Sequence, residues 1–203
     1  VVVGGSPTGV ETAGSLYELY NDVLDKEFPG RLNARVILLE AADNVLLPYP
    51  PRLQKSAQKQ LEGMGVEVKT SAFVEEVGRD FVKLKDGEVI KTYTVVWSAG
   101  VKANPLAEML NVELQRGGKI PVKPTMEVIG LNDVYAAGDI AFLENPKDGR
   151  PYPGLIPVAQ QQGAVVADNI LHTMADEPLD TFKYFDRGSM ATIGRSRAVA
   201  WVF

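Results

Sequence analysis

Residues 1–14, VVVGGSPTGVETAG, constrain this chain more than any other stretch. Val1, Val2 and Val3 are β-branched and apolar, as a buried strand requires. Gly4, Gly5 and Ser6 form a tight turn. Ser6 is suited to cap a helix, and Pro7 to its first position, where a missing N–H costs nothing. Gly9 falls where a side chain would push helix and strand apart. Strand, glycine turn and helix in this order aim the free N–H groups and positive dipole end of the helix at a phosphate. One position departs from G-x-G-x-x-G. Ser6 stands where a glycine lets the backbone approach a pyrophosphate. Serine is small and its hydroxyl is able to bond a phosphate oxygen, so the site reads as altered, not abolished. The alternative is a bare strand–turn–helix without a ligand.

The first helix is expected from Pro7 to about Lys26, with Val10, Ala13, Tyr17, Tyr20 and Leu24 on one face and Pro29-Gly30 as its stop. RVILLE (35–40) is a near-continuous apolar run, as in a parallel strand covered on both faces, and it ends in an acid. An acid there accepts hydrogen bonds from the adenosine ribose and repels a 2′-phosphate, so Glu40 points to NADH over NADPH. A solvated acid at a strand end is the alternative. A second helix follows Pro50-Pro51, with Leu53, Ala57, Leu61 and Met64 on one face. GVEVKT alternates as a strand. AFVEEV, FVKLK and EVIKTY, with a turn at Asp86-Gly87, read as a three-stranded antiparallel meander. TVVWSAG is a further strand ending at Gly100.

Beyond this point the texture changes. Asn104-Pro105 opens a short helix, and Pro121 and Pro124 limit the strands around them. NDVYAAGD (132–139) reads as a strand ending in Gly138-Asp139. A helix is expected from about Val158 to Met174, and two strands around Asp186-Arg187-Gly188. The fold class is therefore α/β, with a first domain at 1–101 and a second at 102–203.

The chain has 203 residues, a net charge of -5 and no cysteine. Disulfides, cysteine metal sites and a dithiol redox centre are excluded within it. No metal site is expected. No Lys/Arg run or basic-aromatic stripe appears, which argues against a nucleic-acid partner. No apolar run approaches the ~18 residues of a membrane span. The chain opens inside a strand without Met and closes on AVAWVF, so it is expected to be part of a longer protein.

GGSPTGVE, VVWSAGV, VYAAGDIA, PVAQQQGAVVADNI and FKYFDRGSMATIGR together resemble the two-dinucleotide-domain flavoproteins, and most closely the type II NADH dehydrogenases (NADH:quinone oxidoreductases). The resemblance spans nearly the whole chain. It implies a Rossmann-like NAD(P)-binding domain with its meander, followed by the C-terminal part of an FAD-binding domain. It also implies that hydride passes from NADH to FAD and electrons pass on to a quinone. The domain carrying the FAD-pyrophosphate loop would precede Val1, and membrane-associating helices would follow Phe203.

By resemblance, Gly4, Gly5, Ser6 and Gly9 hold the NADH pyrophosphate and Glu40 the ribose. Glu11, the catalytic candidate, faces the nicotinamide and flavin to orient the reacting rings or handle protons, or is simply an acid favoured by the helix dipole. Gly100 packs against NADH, or is a turn glycine. Gly138 lets the backbone approach FAD, and Asp139 accepts a hydrogen bond from its ribityl chain. Gln161 and Gln162 lie by the flavin and the quinone, or are surface amides. Trp97 and Trp201 read as packing residues. The resemblance places the whole protein peripherally on the cytoplasmic face of a membrane. The fragment itself is expected to be soluble, inactive alone and able to form a homodimer through exposed apolar surface. Two alternatives remain: another FAD/NAD-linked reductase of sulfide:quinone or disulfide type, or a nucleotide-binding module without turnover.

Overall fold

The computed structural model describes residues 1–31 and 34–202. They fall into two compact units, Val1–Gly100 with Arg187–Phe203, and Val101–Asp186. The first break comes one residue before the expected boundary. The continuous second domain expected at 102–203 is divided, because its last segment groups with the first unit.

The first unit begins β1 (Val2–Val3), α1 (Pro7–Glu18), a π-helical segment (Leu19–Leu24) and α2 (Asp25–Glu27). The expected helix thus runs nearly its predicted length, with residues 19–24 underwound into wider turns. It continues β2 (Ile37–Leu39), α3 (Pro51–Met64), β3 (Glu67–Lys69), β4 (Val74–Val77), β5 (Phe81–Leu84), β6 (Val89–Lys91) and β7 (Val96–Trp97). Gly65 closes α3 in the left-handed conformation, the usual role of glycine at a helix end.

Strands β3, β2, β1 and β7 form one parallel sheet in that order. Successive side chains alternate between its faces. Val2 and Leu38 join Val10, Ala13, Ala57 and Leu61 from the helices. Val3, Ile37 and Leu39 turn the other way and pack with Val82, Leu84 and Ile90 of the antiparallel meander β4–β5–β6. Each residue of β2 is buried, which is why its sequence shows no polar alternation.

The second unit has little regular strand. A 3-10 helix spans Pro105–Leu110, capped by the Asn104 side chain accepting from Leu106 N–H at 2.9 Å. β8 (Ile120–Pro121) pairs in parallel with β9 (Ala141–Phe142). The strand expected over NDVYAAGD does not form. Tyr135 makes one isolated bridge to Glu127, and Gly138–Ile140 is a 3-10 turn. Residues 126–128 offer this segment backbone partners at two points, Ala136 N–H to Met126 O and Val128 N–H to Val134 O. That is too few for a ladder. α4 (Ile156–Ala175) is the unit's long helix. Its core gathers Ile120, Val122, Met126, Val128, Val158 and Phe182.

The chain then rejoins the first unit as a hairpin, β10 (Ser189–Ile193) and β11 (Arg197–Trp201), in register Ser189↔Trp201 to Ile193↔Arg197. The turn lies at residues 194–196, not at the expected Asp186-Arg187-Gly188. Phe182 belongs to the second unit's core, so the segment before Ser189 is not available as a strand partner. Ala191, Ile193 and Val199 enter the first unit's core. Gly14 on α1 permits this approach, since a Cβ there would stand 2.7 Å from Gly194 N. Phe203, the last residue of the closing apolar run, lies outside the described residues.

Candidate functional site

β1 sits between β2 and β7, so chain connections diverge on either side of its C-terminal end. In open parallel sheets such a switch point leaves a crevice for ligands. A cleft of about 430 Å³ lies there, lined among others by Gly4, Ser6, Glu40, Trp97, Ser98 and Gly100.

The glycine turn leaves no space for larger residues. Gly4 has φ +106°, and a Cβ on it would stand 2.8 Å from the backbone of Ala99. Gly4 N–H donates to Leu39 O at 2.7 Å. A Cβ on Gly9 would fall on the Gly4 carbonyl oxygen and lie 2.8 Å from Ser98 Oγ. Gly9 therefore has the role its spacing predicts, close contact of helix with strand. Ser98 locks the same corner from β7, its hydroxyl lying 2.8 Å from Val3 O and 3.2 Å from Gly4 O.

Ser6 caps α1. Its φ of −66° is ordinary for any L residue, so replacing glycine here costs no backbone strain. Its hydroxyl accepts from Gly9 N–H at 3.4 Å and donates to Ser98 O at 3.3 Å. Glu40 follows β2. One carboxylate oxygen accepts from Gly5 N–H at 2.5 Å, the other from Ala42 N–H at 2.8 Å. Each oxygen retains a further lone pair for a ligand hydroxyl. Gly100 has φ +109° with open space beside it, which satisfies the turn role at the cleft mouth. Trp97, expected to pack, is 58% exposed at the cleft. A two-residue strand at the cleft mouth leaves its ring uncovered.

Glu11 is not among the residues lining the cleft. Its Oε1 accepts from the N–H of Thr192 at 3.0 Å and from that residue's hydroxyl at 3.2 Å, tying α1 to β10. Burial, and after it the charge of Glu11, raise the pKa of the Tyr49 hydroxyl, against a bond with Ser189 that lowers it.

In the second unit the predicted residues also meet. Gly138 N–H donates to the side-chain oxygen of buried Gln162 at 2.8 Å. Asp139 is exposed, and Gly154 leaves its carboxylate room, since a Cβ there would lie 2.8 Å from Oδ1. Gln161 grips the Phe185 backbone in both directions, donating to its carbonyl at 3.0 Å and accepting from its N–H at 2.9 Å. Both amides thus serve the fold itself. Asn169, fully buried, donates to Thr125 O and Asp180 O and accepts from Asp180 N–H. Ser98, Thr192, Tyr49 and Asn169 escape a reading of the sequence. Only Ser98 carries a local signal, as a polar residue ending an apolar strand. Among the described residues, no cluster of His, Asp or Glu is arranged to hold a metal.

The glycine corner, the switch-point cleft and the acid after β2 give this chain the architecture of the dinucleotide-fold α/β proteins. Residues 1–163 match the family described as pyridine nucleotide-disulphide oxidoreductase, and the chain belongs to that family. Among curated relatives, it is 39% identical to the type II NADH:quinone oxidoreductase Ndh of Mycobacterium tuberculosis, over 98% of this chain and 44% of that protein. It is 41% identical to NdhA of the same organism, over the whole chain and 45% of the relative. The chain therefore spans a little under half the length of these proteins. Among solved structures, NDH2 of Plasmodium falciparum in complex with NADH superposes with a TM-score of 0.87 at 16% identity, covering 99% of this chain and 57% of that one.

Proposed function

We propose that this chain is the NADH-binding portion of a flavin-dependent NADH:quinone oxidoreductase. What supports this most is the preformed cleft at the strand switch point, with no room for a side chain at Gly4 or Gly9 and Glu40 at its edge. Gly4, Gly5, Ser6 and Gly9 would hold the pyrophosphate at the start of α1. Glu40 would accept the adenosine ribose hydroxyls and disfavour a 2′-phosphate by like charge. Glu11, held at one oxygen by Thr192, would orient the nicotinamide.

In the second unit, the exposed Asp139 carboxylate beside the Gly138 turn suits a ribityl hydroxyl of FAD. Bound FAD would supply the two-electron chemistry between nicotinamide and quinone. Gln161 and Gln162 would hold the chain around that group before they touch a quinone. Names of the relatives support the quinone as acceptor. Peripheral attachment to the cytoplasmic face of a membrane and a homodimer remain part of this proposal for the whole protein. No helix among the described residues is long and apolar enough to cross a membrane.

Calorimetric titration with NADH and with NADPH tests the reading. NADH is expected to bind at least about tenfold more tightly, a difference of one charged contact. Binding of neither nucleotide would overturn it.

A further inference from the structure

We propose that Glu40 positions the diphosphate as well as the ribose, because its carboxylate holds the glycine turn in shape. The proposal rests on the nucleotide reading given above. The turn has a middle residue, Gly5, and both backbone groups of that residue are fastened to the chain after β2. Gly5 N–H donates to Glu40 Oε2 at 2.5 Å, and Gly5 O accepts from Leu46 N–H at 2.7 Å. Glu40 Oε1 meanwhile accepts from Ala42 N–H at 2.8 Å, so one side chain joins the turn to the loop directly after β2. A Cβ on Gly5 would lie 2.8 Å from Glu40 Oε2. The carboxylate and the glycine are matched in size.

This arrangement answers an electrostatic difficulty. A carboxylate next to a diphosphate is repelled by it. Two N–H donors drawn onto its oxygens offset that charge with charge-assisted hydrogen bonds. The bond from Gly5 N–H fixes the Gly4–Gly5 peptide, and Leu46 N–H holds the next peptide at Gly5 O, just ahead of the Ser6 cap of α1. Nucleotide preference and turn shape are then one property. A substitution at Glu40 that removes both the charge and the acceptor relieves repulsion of a 2′-phosphate but also releases Gly5, so that change does not create a good NADPH site.

Glutamine and alanine separate the two roles. Both remove the charge. Glutamine keeps one carbonyl oxygen able to accept from Gly5 N–H, and alanine keeps none. ADP and 2′,3′-dideoxy-ADP serve as probes. Both carry the diphosphate, and the second has neither ribose hydroxyl. Titration calorimetry of the wild type, Glu40→Gln and Glu40→Ala is combined with a thermal melt of each. Glu40→Met, similar in length and without an acceptor, replaces Ala if that variant is unfolded at the assay temperature.

Dideoxy-ADP is expected to bind Glu40→Gln about five- to tenfold more tightly than Glu40→Ala, the worth of one retained hydrogen bond to the turn. Equal affinity of the two variants for dideoxy-ADP would overturn the proposal and leave the nucleotide site standing. Failure of the wild type to bind ADP at all would instead overturn the nucleotide reading, and this inference with it.

Discussion

The two units secure their glycine loops by different means. In the first, the Gly4 turn is held by backbone groups of β2 and of the loop after it, together with the side chains of Ser98 and Glu40. Leu39 O takes the Gly4 N–H, Leu46 N–H donates to Gly5 O, and Ser98 and Glu40 close the remaining gaps. A parallel sheet stands behind it. In the second, the Gly138 turn has only the two-residue β8–β9 pairing beside it, and side-chain amides take over. Gln162 holds Gly138, Gln161 holds Phe185, and Asn169 joins Thr125 to Asp180. The sheet-backed loop is most sensitive to added volume at its glycines, and after that to loss of the Glu40 carboxylate that holds Gly5. An amide-held loop tolerates changes of volume but not loss of a polar atom.

The largest expected effect follows from space. Gly9→Ala drives a methyl into the Gly4 carbonyl and should cost the first unit about 3 kcal/mol of stability, at the upper end for overpacking. Both tryptophans, Trp97 and Trp201, lie in that unit, so fluorescence-monitored urea unfolding reads it directly. Next comes Asn169→Ala, which removes the buried amide that partners the Asp180 N–H and two carbonyls. A loss of about 2 kcal/mol is expected for three part-buried hydrogen bonds, seen as faster hydrogen exchange across 101–186. An equal shift of the tryptophan signal would erase the contrast between the units. Ser6→Ala should cost about 1 kcal/mol and Ser6→Gly only a few tenths, as for a helix cap, measured by the same urea titration. Smallest is Arg195→Ala. Its bonds to Asp22 at 2.6 Å and Glu18 at 3.4 Å are exposed on the arginine side. A few tenths of a kcal/mol, vanishing in high salt, is expected for such surface pairs.

The first unit was the more legible of the two in the sequence, and the reason is local. Val1–Val3, the 4–9 turn and RVILLE each announce themselves within ten residues, and the meander by the short alternating strands between Val74 and Lys91. Glu40 was legible as an acid at a strand end, but not its grip on Gly5, since 35 residues separate the pair. NDVYAAGD has the composition of a strand and lacks a partner to make one. The DRG and GRS segments look alike as turns, and only the pairing of Ser189 with Trp201 selects the second. Thr192 meets Glu11 across 181 residues, a contact no local pattern encodes. Asn169 is one of several polar residues in α4, among them Gln160, Asp168, His172 and Thr173, and nothing nearby marks it as a buried one.

The returning hairpin has a consequence for synthesis. A ribosome makes α1 long before β10, yet Glu11 and Gly14 wait for Thr192 and Gly194 to complete their surroundings. All of 101–186 emerges between them. Closing so long a loop adds entropy cost only slowly with length, but it delays the final packing of the first unit. During translation α1 should therefore remain open to solvent on the side that β10 later covers. The second unit has its whole sequence available first and can settle before the first is finished.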